Sequence, residues 1–166
     1  MPFYRTSQDM AARTGLAPLA SGVAAGHTEV RIWNGFGVTG VHLYRAVRDG
    51  NHWTTTESTN THNVATPVLR PWIDGSCWAP RRTGPVADSF FALPPHPVRQ
   101  PGGPIVFDGW GFVIEIAEGS RYHAAGGTNL GVNDSPDDQR LMRLVPRSHA
   151  TRRPDSAFSS GAPRPA

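Results

Sequence analysis

The stretch from Asp108 to Tyr122, DGWGFVIEIAEGSRY, sets two alternating apolar and polar runs on either side of a short glycine-containing turn. A period of two sends successive side chains to opposite faces of an extended backbone, so the segment reads as a β-hairpin with Ile114 and Ile116 on one face. The same period governs TEVRIWNGFG (28–37), GVHLYRAV (40–47) and HWTTTEST (52–59), all rich in β-branched and aromatic residues. Asn34-Gly35, Gly37, Gly40 and Asp49-Gly50-Asn51 punctuate them, and Asp49-Gly50 is the strongest hairpin signal in the chain. Connections this short cannot hold crossovers, so the strands should run antiparallel.

Other segments fix the boundaries. ATPVLRPWI (65–73) is a candidate edge strand, because Pro67 and Pro71 have no amide to donate to a ladder. Seven prolines between Ala79 and Pro104 exclude a helix or central strand there and predict a long loop, with Phe90, Phe91 and Leu93 as the residues that would pin it. Ser135 is placed to cap a helix that begins at Pro136, carries Asp137 and Asp138 in its first turn, and repeats Leu141, Leu144 and Val145 at helical spacing up to Pro146. The expected fold is therefore mainly β, a small antiparallel sandwich or open barrel with one short C-terminal helix. One domain spans 27–146. A flexible leader or weak export signal occupies 1–26, and a disordered basic tail occupies 147–166.

Charge removes one tempting function. All sixteen basic residues are arginine and the formal net charge is +3. Residues 147–166 hold four arginines against Asp155, which accounts for the whole excess and leaves twelve arginines facing twelve acids in the rest. A phosphate-tracking face belongs on a folded domain, so no specific nucleic-acid partner is expected. No run approaches the ~18 apolar residues of a transmembrane helix. With Cys77 as the only cysteine, no intramolecular disulfide forms and the compartment, cytoplasmic or exported, is left open.

Three constellations are candidates for chemistry. Gly75-Ser76-Cys77-Trp78 resembles the segment around the nucleophile of papain-like cysteine peptidases, with His123 and Asn129, Asn133 or Asp134 following in order. The proline-rich stretch after Cys77 cannot build the long helix whose amino end stabilises that thiolate, and the chain ends too soon for the family's spacing of ~130 residues. Seven histidines include no closely spaced pair of the His-x-His or His-Glu-x-x-His kind, so neither a metal nor another cofactor is expected. Glu115 and His123 form the third candidate. A two-residue Glu118-Gly119 loop sets Glu115 against Tyr122; a three-residue loop through Ser120 sets it against His123, and the turn chemistry favours the latter.

Two function classes follow. One is a non-catalytic binding or accessory module that presents Trp33, Tyr44, Trp53, Phe90 and Phe91 to a ligand or protein partner. The alternative is a hydrolase using Cys77 or the Glu115/His123 pair. The segments 29–57, with Trp33-Asn34-Gly35-Phe36-Gly37 and Leu43-Tyr44-Arg45, and 108–145, with Phe112-Val113-Ile114-Glu115-Ile116 and Arg121-Tyr122, resemble a loose group of uncharacterised bacterial proteins, many of them exported. That resemblance implies the β-rich fold and carries no activity.

Overall fold

The computed structural model describes residues 2–37, 40–60, 68–73, 75, 87–95, 111–128 and 135–145. They form α1 (Pro2–Arg13), a 3-10 turn (Leu19–Ser21), β1 (His27–Gly37), β2 (Gly40–Asp49), β3 (His52–Asn60), β4 (Arg70–Pro71), α2 (Ala87–Phe91), β5 (Gly111–Glu118), β6 (Arg121–Thr128) and α3 (Pro136–Met142). The six strands make one open sheet in the order β4-β3-β2-β1-β5-β6, antiparallel throughout. The protein is thus mainly β with a short C-terminal helix, as its alternating segments require.

Each face of the sheet is covered by different chemistry. Val30, Ile32, Tyr44, Phe112, Ile114, Ile116 and Ala125 share one face, and Trp72, Phe90, Leu93, Leu141, Leu144 and Val145 pack onto it. Burying side chains of this size stabilises by roughly 1.5–3 kcal/mol each. Phe90 and Leu93 pin the 79–104 segment to the core as expected, but Ala87–Phe91 form the short helix α2 where the prolines were read as excluding one, because the run between Pro85 and Pro94 contains no proline. The Gly126 amide donates to the Pro95 carbonyl at 3.0 Å and ties the segment to β6. α3 starts as its sequence dictates, with the Ser135 hydroxyl accepting from the Asp138 amide at 3.1 Å and Pro136 in the first turn. Pro71 sits in the two-residue edge strand β4, where its missing donor costs no ladder bond.

The opposite face carries Trp33, Val41, Leu43 and Val113, covered by Met10 and Ala11 of α1. Residues 2–13, read from sequence as part of a flexible leader, form this helix. Tyr4, Ser7, Gln8, Met10 and Ala11 fall at helical spacing on one side and all face the sheet or the helix's own backbone. A second cover explains why β5 is buried on both faces, including its polar position Glu115.

The β2–β3 and β5–β6 hairpins each turn on a two-residue loop whose first member is a glycine at positive φ, Gly50 at +56° and Gly119 at +57°. The acid before each glycine is the last paired residue: Asp49 opposes His52, and Glu118 opposes Arg121. This corrects the expected register of the second hairpin. Glu115 lies opposite Ala124 and His123 lies opposite Ile116, so the two point to different faces and form no pair.

Candidate functional site

The α1-covered face holds a row of polar side chains in register across four strands, Thr56, Arg45, Arg31 and Glu115, which ends at Ala124 on β6. Glu115 is fully buried. Its Oε2 accepts from the Trp33 indole at 2.7 Å, and its Oε1 accepts from the Gln8 amide and the Tyr122 hydroxyl, each at 2.9 Å. Tyr122 spends its only hydroxyl hydrogen on Glu115, so at the 2.8 Å contact between the two phenols it is Tyr4 that donates. Burial, followed by the Glu115 charge, pushes the Tyr122 phenol far above its ordinary value of 10.0, which keeps it a neutral donor. The carboxylate thus fastens α1 to β1, β5 and β6.

Beside it, Glu29 bridges two arginines. The Arg31 and Arg45 Nε atoms both donate to its Oε1 at 2.7 Å, and Arg45 Nη2 donates to Oε2 at 3.0 Å. Burial alone would raise the Glu29 carboxyl. The hydrogen bond from Arg45 and the charges of both arginines outweigh it and hold the group below its usual 4.5.

The other face presents a second row at the end of the sheet where the β2–β3 and β5–β6 hairpins turn. Trp53, Arg48, Thr28, Glu118 and Arg121 are successive partners across β3, β2, β1, β5 and β6. Four strand spacings make this ledge about 19 Å long. Arg48 Nη2 donates to Thr28 Oγ1 at 2.8 Å and to Glu118 Oε1 at 3.3 Å, while Arg121 Nη1 stands 3.6 Å from Glu118 Oε2. A guanidinium covers an aromatic ring at each end, Arg48 over Trp53 at 5.8 Å and Arg121 over Phe91 at 4.1 Å. The side chains of Arg48, Glu118 and Arg121 are one-third to one-half exposed, so the ledge meets solvent.

Further along the same face, His42 stacks on Tyr44 with ring centroids 4.2 Å apart. Its Nε2 lies 3.2 Å from Glu57 Oε2 and its Nδ1 3.1 Å from the exposed Thr59 hydroxyl, a hydroxyl, imidazole and carboxylate in series.

Several residues singled out from sequence take other roles. Trp33, Tyr44 and Phe90 are buried rather than displayed, because α1 and the α2 loop cover the faces on which they stand. Trp53 and Phe91 are half-buried members of the ledge. His123 turns its ring edge-on to Phe90 at 5.3 Å, away from Glu115. Cys77, Asn129, Asn133, Asp134 and the tail 147–166 lie outside the described residues. No group of three His, Cys, Asp or Glu among the described residues has the spacing to hold a metal ion, and no helix among them is long and apolar enough to cross a membrane.

The sequence reading overlooked Arg31, Arg45 and Glu29 on one face and Arg48, Thr28, Glu118 and Arg121 on the other. The period-two rule that found the strands already carried the signal, since Glu29, Arg31 and Trp33 alternate with Val30 and Ile32. No family model matches the chain, and no curated protein matches it.

Proposed function

We propose that the protein is a non-catalytic binding or accessory module whose contact surface is the ledge of Trp53, Arg48, Thr28, Glu118, Arg121 and Phe91. The observation that carries this reading is the arrangement of that row: two guanidiniums lie three strands apart, each against an aromatic ring, in a line that solvent reaches. Such pairs present a rigid apolar plane with a charged rim, the combination that Trp and Arg supply at binding hot spots. Two arginines against one glutamate favour partners that bring carboxylates.

An array of acidic, neutral and basic peptides, probed with the full chain, tests this. Acidic peptides should bind in preference. Substituting Trp53→Ala together with Arg121→Ala should weaken that binding at least tenfold, since a truncated hot-spot residue costs about 2 kcal/mol or more, while the melting temperature falls by less than about 4 °C. Undiminished binding by the double variant would show that the ledge is not the contact surface.

A second reading, hydrolysis, draws support from Thr59, His42 and Glu57, whose spacing matches a hydroxyl nucleophile, a base and an orienting carboxylate. Turnover of an activated ester that disappears in both Thr59→Val and His42→Gln favours it over the binding reading; turnover indifferent to either substitution removes it.

A further inference from the structure

Each face of the sheet carries a glutamate set between two arginines, and the two bridges differ in kind. On the α1-covered face the Glu29 carboxylate accepts from Arg45 at 2.7 and 3.0 Å and from Arg31 at 2.7 Å, and both Glu29 and Arg31 are buried. Removing one partner there strands a buried charge, so that bridge stays closed. On the ledge the Glu118 carboxylate receives a single long hydrogen bond from Arg48 at 3.3 Å, and Arg121, at 3.6 Å, stands outside hydrogen-bond range. All three side chains are one-third to one-half exposed. Ion pairs of that length in solvent contribute about 0–1 kcal/mol, so the ledge bridge opens at little cost.

Glu118 owes its place to the turn, which leaves it the last paired residue of β5, directly opposite Arg121 on β6. Arg48 starts two strands away on β2, about 10 Å, with Thr28 of β1 between them. Its arm crosses β1 and brings Nη2 to the Thr28 hydroxyl at 2.8 Å and to Glu118 beyond it. One oxygen of Glu118 therefore faces each arginine, in the middle of the ledge. We infer that Glu118 is an internal competitor at this surface: it occupies the place between Arg48 and Arg121 that a partner's carboxylate would take, and so sets how tightly an acidic partner is held. An arriving carboxylate must displace that of Glu118 or lie beside it, and like charges brought together lower affinity. The inference rests on the ledge being the contact surface, and it assigns Glu118 the opposite effect on binding from Arg121 and Trp53.

Binding of a labelled oligoglutamate peptide, and of oligoglutamine of equal length, is measured for the full chain and its variants. Glu118→Gln should bind oligoglutamate at least about fivefold more tightly than wild type, while its melting temperature stays within about 4 °C. Glu118→Thr provides the same comparison should the glutamine variant melt lower. Asp49 is the control for net charge: 76% exposed, it stands at the same end of the sheet on the opposite face, beside His27. Asp49→Asn should gain less than about twofold, and oligoglutamine should gain with neither variant. Adding Trp53→Ala and Arg121→Ala to Glu118→Gln should erase the gain. Equal tightening by Glu118→Gln and Asp49→Asn overturns the inference, since it marks a general charge effect. Unchanged or weaker binding by Glu118→Gln overturns it too, and leaves the ledge standing if Trp53→Ala with Arg121→Ala still weakens wild type. Binding that is absent throughout, or indifferent to every ledge substitution, removes the contact surface and this inference with it.

Discussion

Replacing Glu115 with alanine should destabilise the domain by about 3–4 kcal/mol, a fall in melting temperature of roughly 10 °C. Three donors lose their acceptor at once: the Trp33 indole, the Gln8 amide and the Tyr122 hydroxyl. Trp33 is fully buried and has no route to water, so its N–H alone should cost about 1–3 kcal/mol. Gln8 and Tyr122 are half-buried and recover part of their loss by hydration. The remainder is the cavity left by the removed side chain. Hydrogen exchange should rise first in α1, whose polar anchors run through Gln8 and through Tyr4 to Tyr122. A companion variant separates polar from packing effects. Trp33→Phe, Glu115→Leu and Tyr122→Phe together remove acceptor and donors alike, and this triple variant should regain most of the stability. A Glu115→Ala protein that melts within about 4 °C of wild type would mean that the carboxylate does not anchor the helix.

That network marks the limit of what the residue order discloses. The strands were legible because their signals are local: alternation sets Val30 with Ile32 and Phe112 with Ile114 and Ile116 on one face, while 40–47 and 52–59 are rich in β-branched and aromatic residues between turn residues. The helix at Pro136 was legible for the same reason, since its cap and first turn lie within four residues. Glu115 also alternates correctly, yet its partners come from β1, β6 and α1, up to 107 residues away along the chain. No periodicity links such positions. The expected pairing with His123 failed by one residue of register. In this turn the favoured glycine occupies the first loop position, and the preceding acid stays in the strand. A one-residue slip reverses every side chain of β6, so a small error in turn chemistry moved His123 to the wrong face. The aromatic residues were misplaced for a different reason. Their exposure was inferred from an uncovered sheet, whereas α1 covers Trp33, and Phe90 and Trp72 belong to the cluster that buries Tyr44 on the other face.

The largest pH effect should come from Glu29. Substituting Glu29→Gln leaves the Arg31 guanidinium, almost wholly buried, beside a neutral amide; breaking a buried pair from one side costs about 3 kcal/mol near neutral pH. The exposed pairs of Arg121 with Glu118 and Arg140 with Asp137 offer the contrast, because pairs in solvent contribute little. Linkage gives the sign. The folded carboxyl titrates below its unfolded value of 4.5, so its contribution is fully present above that pH and is lost as pH falls through the folded value. Wild type should therefore lose stability on acidification below about pH 4.5 more steeply than Glu29→Gln, whose side chain cannot titrate. The gap between the two proteins should close as protonation makes the wild-type side chain equally neutral. Denaturant unfolding of both proteins from pH 7 down to pH 3 measures that gap directly. A gap that stays constant across this range would place the acid sensitivity in another carboxylate and reduce Glu29 to a packing contact.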